Sequence, residues 1–285
     1  MATNQMRREA AKRKLERQQE RRVQLAKRHQ RVAVIASAVV VVVVVVAVVL
    51  LSTLGGGEPT DSAAAPTTEP APTAVTPESI PNEIAPLPVR PTPLPATVTC
   101  EYPAQGQAAK PVQPPAGADI SARGTVAVNL QTSAGAVPLT LDRTLAPCAV
   151  NSFLSLARQG YFDDTPCHRL TTNPGLQVLQ CGDPTGSGSG GPGYSFADEV
   201  FPELTYGRGI LAMANSGPDT NGSQFFMVYG DGELPPQYTA FGSISPEGLQ
   251  VVDAIAQKGH DGSLDPSPSG GAPIDPVTIQ SATVG

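Results

Sequence analysis

The chain has 285 residues and a formal net charge of −6, with 15% charged residues. That length holds one or two domains. Residues 1–31 carry eleven Lys/Arg and three Glu, a net charge of +8, so residues 32–285 carry −14. This division excludes a uniformly basic nucleic-acid-binding protein. Membrane topology and attraction to anionic lipids explain the basic segment more simply than a nucleic acid does, so we expect no nucleic-acid partner.

The segment after the basic residues predicts a membrane span. Residues 32–51 (VAVIASAVVVVVVVVAVVLL) are uncharged, and a helix of that length crosses about 30 Å of hydrocarbon. We predict a transmembrane helix over 32–54, with 1–31 cytoplasmic and the rest outside, since Lys and Arg stay on the cytoplasmic side. The alternatives are a cleavable signal, which usually has a shorter apolar run and an A-x-A site, and a buried core segment.

Residues 55–99 are rich in Pro, Thr and Ala and poor in large apolar side chains. Such composition does not repay the entropy of ordering the chain. The sequence predicts a disordered linker that acts as a spacer, with an embedded peptide-binding role as the alternative. A domain lead-in follows over 100–120, and then the folded domain over 121–285.

Alternating apolar residues predict two strands within 124–141, joined by a turn at 132–135, and further strands at 167–171, 176–181, 209–214, 224–229, 240–244 and 276–284. Helical spacing of apolar residues predicts helices over 147–159 and 246–258. Each begins at a proline, and a glycine follows each. Many short strands with two helices favour a mainly β fold, a closed antiparallel eight-stranded barrel.

The four cysteines, Cys100, Cys148, Cys167 and Cys181, all follow the predicted span. Disulfides persist outside the cytoplasm, and four cysteines allow three pairings. Cys167 and Cys181 flank a predicted hairpin and are placed to face each other, which leaves Cys100 with Cys148. Four buried free thiols are the alternative. No two cysteines have C-x2–4-C spacing, so we expect no zinc site.

Two segments carry the functional signal: CHRLTTNPGLQVLQCGDPTGSGSGGPGY over 167–194 and MANSGPDTNGSQFFMVY over 213–229. Together they resemble the cyclophilin family of peptidyl-prolyl cis-trans isomerases, and the resemblance covers about 121–285. It implies isomerisation of X–Pro bonds in unfolded or flexible proline-containing polypeptides. It also implies a monomeric domain that needs no metal or cofactor.

The resemblance implies that Arg169, which follows His168, is the catalytic donor. Twisting the amide localises the lone pair of the prolyl nitrogen, and a fixed guanidinium stabilises that state preferentially. Phe226 would form the floor of the proline pocket, whereas its neighbour Phe225 should point into the core, because side chains alternate along a strand. The implied substrate-binding residues are His168, Val178, Gln180, Ala214, Asn215, Gln224, Phe226, Leu234 and Tyr238.

The sequence departs from the family pattern around the pocket. Ten residues separate Arg169 from Gln180, where the family commonly has seven, which predicts a longer hairpin tip over 171–175. Gln177 and Val178 stand at an apolar pair of the pocket wall, and Leu176 is the nearby residue able to replace the apolar surface that Gln177 lacks. The chain has no Trp and has Tyr238 in place of a late His.

Leu234 is expected to cover the area of the missing Trp. We therefore predict that catalysis survives these departures and that cyclosporin-like inhibitors bind weakly.

Two further motifs are expected to be coincidental. Residues 186–191 satisfy G-x-G-x-x-G, but Pro192-Gly193 follows instead of a helix, so we predict a flexible loop beside the site and not a dinucleotide site. Asn221-Gly222-Ser223 fits a glycosylation sequon. The predicted function is prolyl isomerisation in extracytoplasmic polypeptides, which assists their folding. The alternative is a non-catalytic proline-peptide-binding or chaperone module on the cell surface, and Arg169 favours the enzyme.

Overall fold

The structure is a computed structural model that describes residues 73–267 and 269–285. The predicted basic segment 1–31, the predicted span 32–54 and the first part of the predicted linker lie outside these residues. None of the helices in the described ranges has the length and apolar character required to cross a membrane.

In the part of the chain that the structure describes, eleven strands form two antiparallel sheets. The strands are β1 (Thr97–Val98), β2 (Ile120–Ser121), β3 (Thr125–Thr132), β4 (Gly135–Asp142), β5 (Thr165–Pro166), β6 (Arg169–Leu170), β7 (Leu176–Cys181), β8 (Ile210–Met213), β9 (Phe225–Gly232), β10 (Ala240–Ile244) and β11 (Thr278–Val284). β1 and β2 pair with each other, and the other nine follow the order β5-β11-β3-β4-β10-β8-β9-β7-β6. The predicted hairpin over 124–141 is confirmed as β3 and β4.

The large sheet is curled, but the predicted closed barrel of eight strands is not shown. The strand order contains nine strands and ends in β5 on one side and β6 on the other. These two strands have only two residues each. Pro166 of β5 has no N–H and cannot donate to a further ladder. β5 is too short to produce an apolar alternation in the sequence, so the pattern did not reveal it.

Two helices pack on the sheet close to their predicted positions: α1 (Pro147–Arg158) and α2 (Pro246–Lys258). Ser245 caps α2, since its Oγ accepts the N–H of Gly248 over 3.1 Å. The residue before α1 is Ala146, which offers no capping side chain. Glu199, distant in sequence, supplies that cap by accepting the N–H groups of Cys148 and Ala149 over 3.1 and 2.8 Å.

The two faces of the sheet carry separate apolar clusters. Phe225 is fully buried, as predicted, and packs edge-on against Phe153 with ring centroids 5.3 Å apart. Phe226, the next residue of β9, belongs to the second cluster, on the other face of the sheet. This alternation along β9 gives the protein a core on one face and an apolar platform on the other.

Both predicted disulfides are present. Cys100 is bonded to Cys148 and Cys167 to Cys181, with Cα atoms 5.5 and 4.0 Å apart. The second bond joins the residue before His168 to the last residue of β7, so it closes the base of the β6–β7 hairpin. The first fixes the predicted lead-in to α1.

The prediction of a disordered linker is wrong for residues 73–99, which we call the strap. The N–H of Ala85 donates to the carbonyl of Arg208 over 2.9 Å. Arg90 donates to the carbonyls of Leu145 and Glu199 over 2.7 and 2.8 Å. A proline-rich segment is already extended and restricted, so it loses less conformational entropy than an ordinary linker when it lies against a domain.

Candidate active site

A cleft of about 660 Å³ lies over the apolar platform. It is lined by His168, Arg169, Leu176, Val178, Gln180, Gly186, Ser187, Gly188, Ala214, Asn215, Phe226, Leu234, Tyr238, Ser263, Leu264 and Ala272. Nine of the ten residues predicted as catalytic or substrate-binding are therefore brought together in one cleft. Gln224, the tenth, lines an adjacent hollow of about 500 Å³.

Strand pairing and two hydrogen bonds fix the direction of Arg169. The residue pairs with Gln180 across β6 and β7, and its Nη1 donates to Oε1 of Gln180 over 3.1 Å. Its Nε donates to the carbonyl of Ser269 over 3.0 Å. Burial lowers the pKa of Arg169, while nearby Tyr238 raises it. A guanidinium remains charged at neutral pH, so the cleft holds a directed cation.

The amide of Gln180 continues the chain of hydrogen bonds away from Arg169. Its Nε2 donates to Oε1 of Gln224 over 2.9 Å. Nε2 of Gln224 in turn donates to the carbonyls of Gly188 and Gly190, each over 3.0 Å. Each of these two side-chain amides is therefore oriented by the groups to which it is hydrogen-bonded. Gln224 thus holds Gln180 and the glycine loop in place, and it does so from the adjacent hollow.

Asp183 holds the glycine loop 186–191 beside the cleft. Its carboxylate accepts the N–H groups of Thr185 over 2.8 Å and Gly190 over 3.0 Å. Burial alone would raise the pKa of Asp183. The hydrogen bonds from Gly190 and Thr185 outweigh that effect, so the pKa of Asp183 is lowered overall. The loop lies beside the site, as predicted, but the buried carboxylate of Asp183 holds it in place through hydrogen bonds.

His168 lies next to this loop. Burial lowers the pKa of His168, an effect that Asp183 opposes and Arg169 reinforces. Its Nδ1 is buried and has no hydrogen-bond partner within the described ranges. These features indicate a neutral ring at neutral pH, which presents a flat wall and adds no second charge beside Arg169.

Ala214 and Asn215 follow β8 and form the opposite rim of the cleft. The N–H of Ala214 donates to the carbonyl of Gln224 over 3.0 Å. Nδ2 of Asn215 donates to the carbonyl of Gln237 over 2.9 Å. Asn215 therefore links the rim to the loop 233–238, which carries Leu234 and Tyr238.

Phe226 forms the floor of the cleft and is only 5% exposed. Tyr238 stands edge-on to it, with ring centroids 5.6 Å apart and an interplanar angle of 83°. Tyr206, which sequence reasoning missed, fixes Tyr238 by donating to its carbonyl over 2.6 Å and accepting its N–H over 2.9 Å. Burial raises the pKa of Tyr206 to about 12, so the hydroxyl keeps the proton that it donates.

Leu176 stands in the pocket wall where Gln177 does not, in line with the expectation that Leu176 replaces the apolar surface that Gln177 lacks. Gln177 is 3% exposed and does not line the cleft; its Nε2 donates to the carbonyl of Ser79 over 2.7 Å, and its Oε1 accepts the N–H of Asp231 over 3.0 Å. Leu176 and Val178, on either side, line the cleft instead. Because side chains alternate along β7, Leu176, Val178 and Gln180 face the cleft and Gln177 faces the other side of the strand.

Sequence reasoning also missed that the loop after α2 forms part of the cleft wall. Ser263, Leu264 and Ala272 of this loop line the cleft beside Arg169. The only signal was a single large apolar residue, Leu264, in an otherwise Gly/Pro/Ser-rich stretch. The sequon was rightly set aside, because Asn221 is fully buried and its Nδ2 donates to the carbonyl of Phe196 and to Asp198.

The sequence model of the family described as "Cyclophilin type peptidyl-prolyl cis-trans isomerase/CLD" matches residues 127–284. The chain belongs to this cyclophilin family. The matched segment runs from β3 to β11 and contains the whole cleft, whereas the strap and the lead-in lie outside it.

Three curated cyclophilins illustrate the similarity. A "Probable peptidyl-prolyl cis-trans isomerase B" of Mycobacterium leprae is 49% identical over 198 residues, 65% of this chain and 66% of that protein. Its namesake in Mycobacterium tuberculosis is 50% identical over 196 residues, 64% of this chain and 62% of that protein. The "Peptidyl-prolyl cis-trans isomerase A" of Mycobacterium tuberculosis is 38% identical over 179 residues, 56% of this chain and 92% of that protein. The chain spans just under two thirds of the length of the first two relatives.

Proposed function

We propose that the protein is a peptidyl-prolyl cis-trans isomerase that acts on proline-containing, unfolded or flexible polypeptides. The observation that carries this function is a guanidinium held in place above an aromatic floor within one cleft. Arg169 is fixed by Gln180 and Ser269, and Phe226 forms the floor of the same cleft.

The chemistry follows from the X–Pro amide. Rotation about it has a barrier of about 20 kcal/mol because the bond is partly double. The twisted amide carries a localised lone pair on the prolyl nitrogen, and planar forms do not. A donor directed at that nitrogen therefore binds the transition state better than either isomer, which is the condition for raising kcat. No nucleophile or proton transfer is required.

The remaining residues are assigned to holding the substrate. Phe226, Val178 and Leu234 supply apolar surface for the proline ring, and Tyr238 completes the wall. On the opposite rim, Ala214 and Asn215 offer backbone and amide groups to the peptide chain. His168 gives a neutral flat surface, while Gln180 and Gln224 keep Arg169 oriented.

An isomerisation assay on the full-length protein in detergent micelles tests this proposal. The wild type should exceed the uncatalysed rate on an Ala-Pro-containing peptide. Arg169→Ala should reduce kcat/KM by about 100-fold or more, as for the loss of a transition-state donor. Arg158→Ala, an exposed arginine at the end of α1, is the matched control and should keep full activity.

A non-catalytic peptide-binding or chaperone module is the second candidate, because the cleft also suits binding alone. It would bind the same peptide without accelerating its isomerisation. A wild type that binds but leaves the isomerisation rate unchanged would establish that candidate and reject the enzyme.

We propose further that the domain works outside the cytoplasm, anchored by the apolar residues 32–54, where it assists the folding of extracytoplasmic polypeptides as a monomer. Two disulfides support this location, since such bonds persist outside reducing compartments. Protease added to intact cells should remove the domain and spare residues 1–31. Full protection of the domain would reject the topology.

A further inference from the structure

The strap contacts the elements that carry the cleft, although it lies outside the segment matched by the family model. Val75 and His260 exchange two backbone hydrogen bonds, of 2.8 and 3.0 Å. His260 is fully buried and begins the loop 260–273. Its Nδ1 accepts the N–H of Gly262 over 3.0 Å, so the proton of the neutral ring is on Nε2. That Nε2 lies 3.0 Å from Oγ1 of Thr172, at the tip of the β6–β7 hairpin.

The loop that His260 begins also holds Arg169. The carbonyl of Ser269 accepts the Arg169 Nε–H over 3.0 Å. Gly271 exchanges two backbone hydrogen bonds with Leu170, of 2.8 and 3.1 Å. The position of the loop therefore sets the direction of the guanidinium, and Val75 braces the start of that loop.

A second contact joins the strap to the apolar wall. The carbonyl of Ser79 accepts the Gln177 Nε2–H over 2.7 Å. Gln177 lies between Leu176 and Val178, and its Oε1 accepts the N–H of Asp231 over 3.0 Å. One buried amide thus connects the strap, the wall strand β7 and the end of β9, which leads into the loop that carries Leu234.

The domain surface is shaped to fit the strap. A Cβ on Gly207 would lie 2.6 Å from the Cβ of Ala85, and one on Gly209 would lie 3.0 Å from Cγ2 of Ile84. Real Cβ atoms do not approach other atoms within 3.0 Å. The absence of a side chain at position 207 leaves the space that the strap occupies.

We propose that the strap is a positioning element of the isomerase site. Val75 acts through His260 and the loop 260–273 on Arg169, and Ser79 acts through Gln177 on the apolar wall. This inference rests on the proposed function, since it assigns a role within that reaction.

Val75→Pro in the full-length protein tests the first path, because proline removes the N–H that donates to His260. A lost hydrogen bond of ordinary strength corresponds to about fivefold in rate. We expect kcat to fall by about fivefold, with KM within about twofold because the floor of the cleft is untouched. Val89→Pro, the same change at a strap residue that is 78% exposed, is the matched control and should leave both constants unchanged.

The Nε–H resonance of Arg169 separates positioning from a merely structural role. In Val75→Pro this proton should exchange with solvent faster, because the loop that accepts it is loosened. A fall in kcat with an unchanged Nε–H exchange rate would overturn the inference, as would equal kcat for Val75→Pro and Val89→Pro. A wild type without isomerase activity would instead reject the proposed function itself.

Gln177→Leu tests the second path independently and keeps the inference falsifiable if Val75→Pro does not fold. Leucine suits a buried position but cannot donate to Ser79. We expect KM to rise by about threefold with kcat within about twofold, since the wall contributes binding and not the transition-state donor. An unchanged KM in a folded Gln177→Leu protein would overturn the role of Ser79 and Gln177.

Discussion

Nη1 of Arg169 donates to Oε1 of Gln180 over 3.1 Å, and the two residues face each other across β6 and β7. The carbonyl of Ser269 holds the same guanidinium from the other side. The cation is therefore oriented by the neighbouring strand β7, through its pairing and the amide of Gln180, and by a loop about 100 residues further along the chain. Its direction depends on the fold as a whole.

Gln180→Ala should lower kcat by about tenfold, because a hydrogen bond to a charged group is worth about 1.5 kcal/mol. KM should change little, since Gln180 acts mainly on the orientation of Arg169. Steady-state isomerisation kinetics measure both constants. Gln280→Ala, at an exposed position of β11, is the matched control. A kcat within twofold of wild type would show that Gln180 does not orient Arg169.

Removing the disulfides should destabilise the domain to different extents. The Cys167–Cys181 bond closes 14 residues and the Cys100–Cys148 bond closes 48. Loop-closure entropy predicts losses of about 3 and about 4 kcal/mol for the corresponding double Cys→Ala variants. Denaturant unfolding of the full-length protein measures these free energies. The reverse order would contradict the entropic explanation.

Glu199 should make stability depend on pH. Burial raises the pKa of Glu199 to about 7 from its usual 4.5, against the lowering effect of the Ala149 and Cys148 N–H groups and of Arg90. Between these two pH values the unfolded chain releases the proton while the folded chain retains it. The free energy of unfolding therefore falls as pH rises from 4.5 to 7, by up to about 3 kcal/mol.

Glu199→Gln should remove this component. Unfolding at pH 5.0 and pH 7.5 gives the change in free energy for each protein, and the wild type should lose more than Glu199→Gln. Glu203→Gln, at an exposed position, serves as the control and should behave as wild type. Identical pH dependence in wild type and Glu199→Gln would contradict the raised pKa.

Cyclosporin should bind this protein weakly and bind Leu234→Trp at least about tenfold more tightly, the gain expected from burying a large aromatic surface. Leu234 lines the cleft where the family's Trp is expected, and the chain contains no Trp. The introduced indole is then the only one, and its fluorescence reports binding directly. Calorimetric titration gives the wild-type value, and tight binding by the wild type would contradict the prediction.

The sequence predicted most of the cleft because motif residues lie on strands, where pairing fixes the geometry. Arg169, Gln180 and Phe226 are in register with one another across β6, β7 and β9. Gln177 faces away from the cleft because side chains alternate along β7, whereas the resemblance to the family placed the adjacent residues Gln177 and Val178 together in the wall. Leu264 and the strap were missed because their positions depend on contacts with distant residues. A Pro-rich composition describes the unbound chain and contains no information about the surface that receives it.

The conformation of Gly207 lies outside the left-handed region, so its backbone alone does not demand glycine. Only the Cβ of Ala85, 2.6 Å from where a side chain would begin, makes glycine necessary there. A cyclophilin domain with a bare surface at this place is free to carry alanine or a larger residue, whereas one that bears a strap is not. In this chain, glycine at position 207, inside the segment that the family model matches, accommodates a strap residue more than a hundred positions earlier.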